Sequence, residues 1–485
     1  MNQQIEKFQL KNWELVSINP NNKNWGWVDY FNFWAVSVQS VIGFSLVASL
    51  YLLYDLNSIL VSTGCLFASI LVYFFSNLIG KISQTSGLPF PVILRISMGF
   101  NGARYIGMIR CLIGVFMFGV QTYFISKSIG YLIRILIYQF DQQLINSEIF
   151  LLFFFGLNLI DYIALILTLV VQFYLFSRGQ DWNRILINFS SLFVYLGLVV
   201  FLIIIVSEHS NDLINSFKLS TVTSNYLSKE NFLPLISITG TMFAYFSILL
   251  LSYGDFSRSA KSIKEMKKGN LSLILNLVIF SFLSVLIVLG SEIMLTKNAI
   301  QIDRMLTNPN DIIAKFDNTY LTFVALCFII VSSFSSNLIA NYIPSQNTLI
   351  NFLPNSLNLK KSGLIILFIG LVVCIFWLSI FSHRNILIIF DTIGAIFGPI
   401  FGIVIADYYL IKKQKINHKE LFYPMETTEY IYYRGWNRRA IYALLVSFVF
   451  SASTIWNISL SSFQSFSWII GAFVSWIIYY LLAKK

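Results

Sequence analysis

A ten-residue segment inside an apolar run has an unusual density of hydrogen-bonding side chains. The run covers about residues 321–350, long enough to cross a bilayer as a helix, and its segment 332–341 reads SSFSSNLIAN. At 100° per residue the hydroxyls and the amides of this segment lie on two faces about 140° apart. The hydroxyl face holds Ser332, Ser335 and Ser336. Asn337 and Asn341 form the amide face.

Neither polar face can be directed at lipid, because each unpaired hydroxyl or amide in hydrocarbon costs several kcal/mol. Two interpretations remain open at this point. The polar side chains hydrogen-bond neighbouring helices, as Ser and Asn commonly do in membrane proteins. Alternatively, the helix lies between two sites, one for a cation and one for a polar solute.

Ionisable groups are sparse within the apolar runs. Asp391 lies in the outer half of an apolar run, where an acid is a candidate proton carrier, or else an outer-vestibule residue paired with His383 or Arg384. Asp255 and Arg258 border the inner end of another run and are candidate structural or gating residues, as is Asp407 of the run that holds Asp391. We expect all three histidines in loops, which leaves no buried histidine relay.

Catalytic or metal-binding constellations are not visible in the sequence. The four cysteines all fall inside apolar runs, at no metal-ligand spacing, and are typical of small buried apolar residues. No cluster of His, Cys and acidic residues with catalytic spacing occurs, so a membrane enzyme is disfavoured. A channel is also disfavoured, because the polar residues cluster at mid-membrane and do not follow one face of many helices.

Composition determines the protein class. Hydrophobic residues make up 57% of the 485 residues, charged residues only 11%, and the mean hydropathy is +0.73. Apolar runs of spanning length recur throughout, so the chain is an all-α polytopic membrane protein and lacks the ten-residue alternation of a β-barrel. The net charge of +11 lies in short loops between spans, which does not indicate nucleic-acid binding.

Hydropathy predicts about twelve spans, with short loops between most of them. One of these loops is predicted at residues 80–101, where Pro89 and Pro91 favour a bent connection. Residues 1–24 are polar, with no visible cleavable signal peptide. The predicted layout is an N-terminal tail (1–27), spans 1–5 (28–206), an outer loop (207–232), spans 6–10 (233–411), a loop (412–438) and spans 11–12 (439–485).

Lysine and arginine concentrate in alternate loops. By the positive-inside rule, both termini are cytoplasmic, and we expect the protein in an inner or plasma membrane.

The first and sixth spans have interrupted, polar middles, at residues 34–40 and 239–241. They are five spans apart, which reverses their direction, as in an inverted repeat whose broken helices line a site at mid-membrane.

Several motifs, in order and spacing, resemble the nucleobase:cation symporters, the family of uracil, allantoin, cytosine and hydantoin permeases. The resemblance covers almost the whole chain. It implies a five-plus-five inverted repeat with broken first and sixth helices, two extra C-terminal helices and alternating access. The motifs are Phe90-Pro-Val92 with Arg95 and Gly99, Arg110 with Phe118-Gly-Val-Gln121, Gly254-Asp-Phe-Ser-Arg258, Ser335-Ser-Asn337 with Asn341, Gly398-Pro399, Gly402, Asp407-Tyr408 and Gly435-Trp-Asn437.

The same resemblance implies two sites. A sodium site uses the carbonyls of Val36, Gln39 and Ser332 and the hydroxyls of Ser335 and Ser336. The substrate site comprises Ser40, Met117, Gln121, Tyr245, Phe246 and Asn341, with Gln39 adjacent. Neutral oxygens suit sodium, a hard cation, and amides suit the alternating N–H and C=O edge of a nucleobase or ureide. Interhelical hydrogen bonding is the alternative role for the amides.

The chain departs from its relatives in the expected pocket walls. Met117 and Phe246 stand where many relatives have tryptophan, and Ser40 stands where a relative has Gln. A flat heterocycle can still stack on Phe246 and contact sulfur at its edge. Walls of this kind also admit a smaller or less flat solute.

The sequence therefore predicts a monomeric secondary transporter that imports a small neutral nitrogenous solute, uracil or allantoin foremost, with sodium as the preferred coupling ion. Two alternatives stay open. One is a proton-coupled permease for a related vitamin precursor or nucleoside. The other is a solute sensor on the same fold.

Overall fold

The computed structural model describes residues 12–54, 58–143, 148–222, 229–297, 307–315, 318–377, 386–422 and 428–484. Within these ranges the regular structure is helical, and no β-strand occurs beyond isolated bridges. The principal helices are α1 (Trp27–Val38), α2 (Val41–Leu53), α3 (Ser58–Ser86), α4 (Phe90–Phe140), α5 (Leu159–Phe176), α6 (Gln180–Val222), α7 (Lys229–Ser252), α8 (Ile263–Lys297), α9 (Thr319–Asn337), α10 (Ile343–Phe352), α11 (Leu359–Phe376), α12 (Ile386–Ala406), α13 (Arg438–Trp456) and α14 (Ser467–Ala483).

Shorter helical pieces connect these helices. Two are π-helical turns, Leu338–Tyr342 between α9 and α10 and Asp407–Ile411 after α12. The others are single turns or 3₁₀ segments: Trp13–Leu15, Pro20–Asn22, Glu148–Leu151, Gly254–Ser257, Pro309–Ile313, His418–Phe422 and Ile458–Phe466.

In the described part of the chain, eleven helices are long and apolar enough to cross a membrane, and the bent pair α1–α2 makes a twelfth. The prediction of an all-α polytopic membrane protein with about twelve spans is confirmed. Hydropathy alone suffices here because each span must satisfy its own backbone hydrogen bonds in lipid.

The first span is broken as predicted. Helix α1 ends at Val38, α2 begins at Val41, and the two axes differ by 57°. The Ser40 side chain caps α2 by accepting the Gly43 N–H at 2.9 Å. Gly43 is required at this position, because a Cβ there would lie 2.7 Å from the Val38 carbonyl oxygen. The break thus rests on a serine cap and a glycine with no room for a side chain.

The interruption expected in the sixth span is absent at residues 239–241, because α7 is one continuous helix. The polar residues there serve packing. Thr239 donates to the Leu235 carbonyl within its own helix, and Thr241 donates to the Ser465 hydroxyl of the segment Ile458–Phe466. The chain turns only after Ser252, where Gly254–Ser257 forms a separate short helix.

The third span begins earlier than predicted. The loop expected at residues 80–101 is largely helical, since α3 runs to Ser86 and α4 starts at Phe90. Pro89 and Pro91 stand at the start of α4, where a missing N–H costs nothing. The bend lies inside α4 at Gly99, whose φ of 83° is a conformation that favours glycine.

The fifth span is longer than predicted. Helix α6 extends to Val222, well beyond residue 206, so the first part of the expected outer loop has a helical backbone. His209, expected in a loop, lies within this helix. His418 lies in the short helix His418–Phe422.

The N-terminal segment lies across one end of the bundle. Trp25 pairs with the turn after α7, through Trp25 N–H to Ser259 O (3.0 Å) and Lys261 N–H to Trp25 O (2.9 Å). Asn12 donates to the Pro354 carbonyl beyond α10 at 3.0 Å. We call this the basic end, because it includes the lysine-rich stretch that follows residue 260.

Candidate functional site

The π-helical turn of the eighth span packs against α1, the helix that ends at the break in the first span. The turn Leu338–Tyr342 contacts α1, α4 and α7. A π-turn inserts one residue into a helix, frequently at functional sites, and redirects backbone carbonyls. Here the Ala340 carbonyl accepts a hydrogen bond from the Arg110 side chain at 2.7 Å. The irregular backbone of the eighth span is therefore packed in the interior against the first, third and sixth spans.

Buried amides from α4 and the π-turn are joined directly. Asn341 donates to the Gln121 side-chain oxygen at 3.2 Å and to the Asn337 side-chain oxygen at 2.8 Å. Gln121 in turn donates to the Ser336 hydroxyl and to the Ser333 carbonyl, the latter at 3.3 Å. We call Gln121, Ser336, Asn337 and Asn341 the amide cluster. All four side chains are buried.

Asn337 also holds helices together. Its side-chain N–H groups donate to the Phe118 carbonyl (3.2 Å) and the Thr122 hydroxyl (3.3 Å), and Thr122 donates to Gln172 of α5 (3.2 Å). These bonds support the interhelical role that the sequence left open for the polar faces. Gln121 also joins helices, because it reaches from α4 to Ser336 and the Ser333 carbonyl of α9, and Asn341 of the π-turn donates to it in turn.

A second group of predicted residues surrounds the break in the first span. The hydroxyls of Ser40 and Tyr245 are 2.7 Å apart, and Tyr245 also reaches the Ser37 carbonyl at 3.3 Å. The Phe246 ring meets the edge of Trp34 at 6.3 Å between centroids. The structure therefore brings Ser40, Tyr245 and Phe246 together between α1 and α7.

Met117 belongs to neither group by hydrogen bonding. It lies on α4, four residues before Gln121, so both side chains are on the same helix face, and only 4% of Met117 is exposed. Its position is compatible with a wall beside the amide cluster.

The candidate sodium ligands lie where α1 meets α9. The Ser40 N–H donates to the Val38 carbonyl. The Val36 carbonyl therefore lacks the usual helical hydrogen bond from the N–H four residues later. The Gln39 carbonyl accepts from the Ser332 hydroxyl. Carbonyls freed by a helix break are the kind of oxygen that coordinates sodium in such folds.

The two remaining sodium candidates point to different neighbours. Ser335 donates to the hydroxyl of Ser190 on α6, whereas Ser336 accepts from Gln121 in the amide cluster. Ser190 was missed by sequence reasoning, although the pair Ser190-Ser191 in an apolar span was a visible signal. Among the described residues no group of three or more His, Cys, Asp or Glu side chains could hold a metal ion. An ion at the α1–α9 contact would therefore be bound by neutral oxygens.

A cavity of about 540 Å³ lies on the side of the bundle away from the basic end. Gln39, Ser40 and Ser332 line it, with mostly apolar side chains around them. The Gln39 amide is buried with no partner at normal hydrogen-bond geometry, although the Tyr195 hydroxyl is near. Met117, Gln121, Tyr245, Phe246 and Asn341 do not line this cavity. The amide cluster therefore does not contribute to the lining of this cavity.

A second cavity, of about 510 Å³, lies at the basic end. Asp255 and Arg258, the predicted gating residues, both line it. The two cavities therefore lie toward opposite ends of the bundle.

A buried arginine was not among the predicted site residues. Arg110 is fully buried and donates to the Ser252 hydroxyl (3.0 Å) and the Ile248 carbonyl (3.4 Å), besides the π-turn. It thereby ties α4 to α7 and to the π-turn. An arginine inside an apolar run was the signal that could have identified it.

Asp391 is buried against the start of the last helix. Its side chain accepts from Gln464 at 3.0 Å, while its second carboxylate oxygen has no partner. The pairing with His383 or Arg384 concerns residues outside the described ranges. Asp407 accepts from the Tyr479 hydroxyl at 2.6 Å, which anchors α14 to the end of α12.

Comparison with known proteins gives consistent matches. The family model described as permease for cytosine/purines, uracil, thiamine, allantoin matches residues 17–480. An allantoin permease of Bacillus subtilis is 24% identical, over 99% of this chain and 94% of its own length. A putative allantoin permease of Escherichia coli is 26% identical, over 100% of this chain and 97% of its own length.

Solved structures share the fold at low sequence identity. Mhp1, a nucleobase-cation-symport-1 family transporter in a closed conformation with bromovinylhydantoin bound, superimposes with a TM-score of 0.73 at 16% identity, over 98% of this chain and 95% of that one. A Na⁺-coupled sialic acid symporter superimposes with a TM-score of 0.64 at 12% identity, over 96% of this chain and 91% of that one.

Proposed function

This chain belongs to the family of permeases for cytosine and purines, uracil, thiamine and allantoin, and from that premise we propose that it imports a nucleobase or a ureide together with sodium. The family is one of membrane transporters and not of enzymes. Uracil and allantoin are the foremost candidates, and we expect a monomer in the cell membrane.

The amide cluster supports this proposal most strongly. Gln121 and Asn341 each offer two donors and one acceptor, and the hydrogen bond that joins them is 3.2 Å long. Uracil and allantoin present alternating N–H and C=O groups along one edge. A solute of this kind can exchange its own donors and acceptors for the bond between the two amides, so the buried groups stay paired in both states.

The walls proposed for the pocket are Met117, Ser40, Tyr245 and Phe246. The Phe246 ring provides a face for stacking, and the Ser40–Tyr245 pair provides hydroxyls at the break of the first span. Met117 is a flexible thioether that adapts to a puckered or substituted ring better than an indole does. This composition favours allantoin, which has a ureido arm, over a strictly flat ring.

Sodium is the proposed coupling ion. The Val36 and Gln39 carbonyls, with Ser332, Ser335 and Ser336, offer neutral oxygens between α1 and α9, to which we add Ser190 as a neighbour of Ser335. A bound cation would fix α1 against α9. The Ser336 hydroxyl bonds to Gln121, so the ion and the solute would share this serine. A contact shared in this way couples the two binding equilibria, and the coupling is reciprocal.

The positions of the two cavities support alternating access as the transport mechanism. We propose that the basic end is cytoplasmic, because the lysine-rich turns lie there, and that both termini are cytoplasmic. The solute would then enter through the cavity lined by Gln39 and Ser40, reach the amide cluster, and leave through the cavity lined by Asp255 and Arg258.

Proton coupling is the second candidate, and one observation favours it. Asp391 is an acid buried in the tenth span with one carboxylate oxygen unpartnered, a state that suits a group that gains and loses a proton. Its bond to Gln464 argues for a structural role beside the last helix.

A binding panel on the purified protein tests the proposal. Labelled allantoin, uracil, cytosine and hydantoin are titrated with sodium chloride and with choline chloride at equal ionic strength. We expect allantoin or uracil to bind and sodium to lower the Kd several-fold. If none of these solutes bound in either salt, the proposed substrate class would be wrong. Binding that ignores sodium would refute sodium coupling.

A further inference from the structure

The cavity at the basic end contains polar groups that the transport site does not use. It is lined by residues of four elements: Asn183 of α6, Asp255 and Arg258 after α7, Gln346 and Asn347 of α10, and Glu14 of the N-terminal segment. Its volume, about 510 Å³, is comparable to that of the cavity on the other side.

Three polar atoms at this cavity have no hydrogen-bond partner. They are Oδ2 of Asp255, Nε of Arg258 and Oδ1 of Asn183. The three side chains are only 2%, 4% and 6% exposed, respectively. Buried polar groups are nearly always paired in folded proteins, so three unpaired atoms around one cavity indicate a ligand or ordered water there.

Other atoms of the charged residues fix their positions. Asp255 accepts the Phe90 N–H through Oδ1 at 3.1 Å, and the Asn347 amide approaches the same carboxylate outside normal hydrogen-bond geometry. Arg258 donates to the Glu14 carbonyl at 2.6 Å. Asp255 and Arg258 are three residues apart in a helical stretch, so their side chains lie on the same face. The unpaired Oδ2 and Nε are therefore held in place, as in a preorganised site.

We propose that this cavity is an exit-side binding site for the transported solute, where the Asp255–Arg258 pair recognises one N–H and one C=O of a ureide or lactam edge. Asp255 Oδ2 accepts the N–H, Arg258 Nε donates to the C=O, and Asn183 Oδ1 accepts a second N–H. The inference rests on the proposed function and adds a second site, separate from the amide cluster.

The charges select against other occupants. A sodium ion attracted by Asp255 meets the guanidinium of Arg258, and an anion attracted by Arg258 meets the carboxylate. A neutral solute with a donor and an acceptor on the same edge pairs with both. Water also satisfies both groups, and water alone is the alternative that the experiment must exclude.

The test compares the two faces of the membrane. Labelled allantoin exchange is measured in right-side-out and in everted vesicles that contain the full-length protein, with equal sodium on both sides. Asn183→Leu removes the unpaired acceptor and leaves the charged pair intact. Asp255→Asn keeps an oxygen for the Phe90 N–H and removes the charge. We expect each variant to raise the half-saturating allantoin concentration at the cytoplasmic face about 3-fold or more, with no change at the outer face.

A matched control is available in α8. Asn276 is buried, and its Oδ1 also lacks a partner, but it does not line the cavity, so Asn276→Leu makes the same chemical change elsewhere. This control should leave both faces unchanged, and thermal unfolding should show that each variant is folded. If Asn183→Leu fails to fold, the half-saturating concentrations of Asp255→Asn at the two faces provide the test of the exit-side site.

Half-saturation that does not change, or that rises equally at both faces, overturns the exit-side site while leaving the proposed function standing. Failure of the unmutated protein to exchange either allantoin or uracil in both vesicle types overturns the proposed function, and the exit-side site with it.

Discussion

The hydrogen bond between Gln121 and Asn341 yields the sharpest prediction, because the two roles of these amides have opposite consequences. We consider Gln121→Leu, Asn341→Leu and the double variant. If the amides recognise the solute, each variant weakens binding and leaves stability nearly intact. If they only join helices, each variant destabilises the protein and leaves the affinity of the remaining folded protein unchanged.

The magnitudes follow from the contacts. In Gln121→Leu, Asn341 keeps one acceptor, the Asn337 side-chain oxygen at 2.8 Å, so the free energy of unfolding should fall by only about 1 kcal/mol. A solute edge left facing leucine loses a partner in a dry site, which costs about 1–3 kcal/mol. This corresponds to a Kd raised roughly 5- to 150-fold. Because both amides bind the same edge, the double variant should lose less than the sum, with a coupling energy of about 0.5–3 kcal/mol.

Equilibrium binding of labelled allantoin or uracil to the purified variants measures these quantities, with thermal unfolding recorded on the same samples. Asn276→Leu is the control for removing a buried amide elsewhere. Normal affinity in both single variants, together with lowered unfolding temperatures, would refute a substrate role for the amide cluster and would leave its bonds as helix-packing contacts.

Three further predictions address the ion, the pocket wall and the buried acid. Ser335→Ala should raise the half-activating sodium concentration several-fold in binding titrations without changing the ranking of solutes. Ser336→Ala should change both the sodium concentration and the solute ranking, because Ser336 also bonds to Gln121. Identical behaviour of the two variants would contradict these separate roles. Met117→Trp should improve competition by flat hydantoin-like rings, by about 0.5–1.5 kcal/mol of stacking, and worsen binding of the native solute, while an unchanged ranking would mean that Met117 does not face the solute. Asp391→Asn should leave sodium-driven uptake intact in vesicles, and its loss in well-folded protein would favour proton coupling.

The sequence predicted the span count and the broken first helix because both depend on local properties. Hydropathy reports the length of each lipid-crossing segment, and Ser40 with Gly43 encodes a cap and a close approach within a few residues. The start of α4 was misjudged for an equally local reason. Pro89 and Pro91 fit a loop or a helix N-terminus, and the sequence pattern did not distinguish the two.

Features that depend on distant partners were not predictable. Residues 239–241 resemble a broken helix in composition, but Thr241 bonds to Ser465, more than two hundred residues away. Ser336 shares a helix face with Ser335, yet the first bonds to α4 and the second to α6. A helical projection gives the face of a residue and not the helix that packs against it.

Uphill transport in proteoliposomes tests the central claim most directly. Purified protein is reconstituted with equal allantoin on both sides, or equal uracil in a parallel sample, and a sodium gradient is then imposed at constant pH and zero membrane potential. We predict that one of these solutes accumulates on the low-sodium side and that reversing the sodium gradient reverses the direction of accumulation. The Gln121→Leu variant should accumulate the solute more slowly in both directions. Absence of accumulation under a sodium gradient in either direction, or accumulation driven by a proton gradient alone, would contradict sodium-coupled transport through this site.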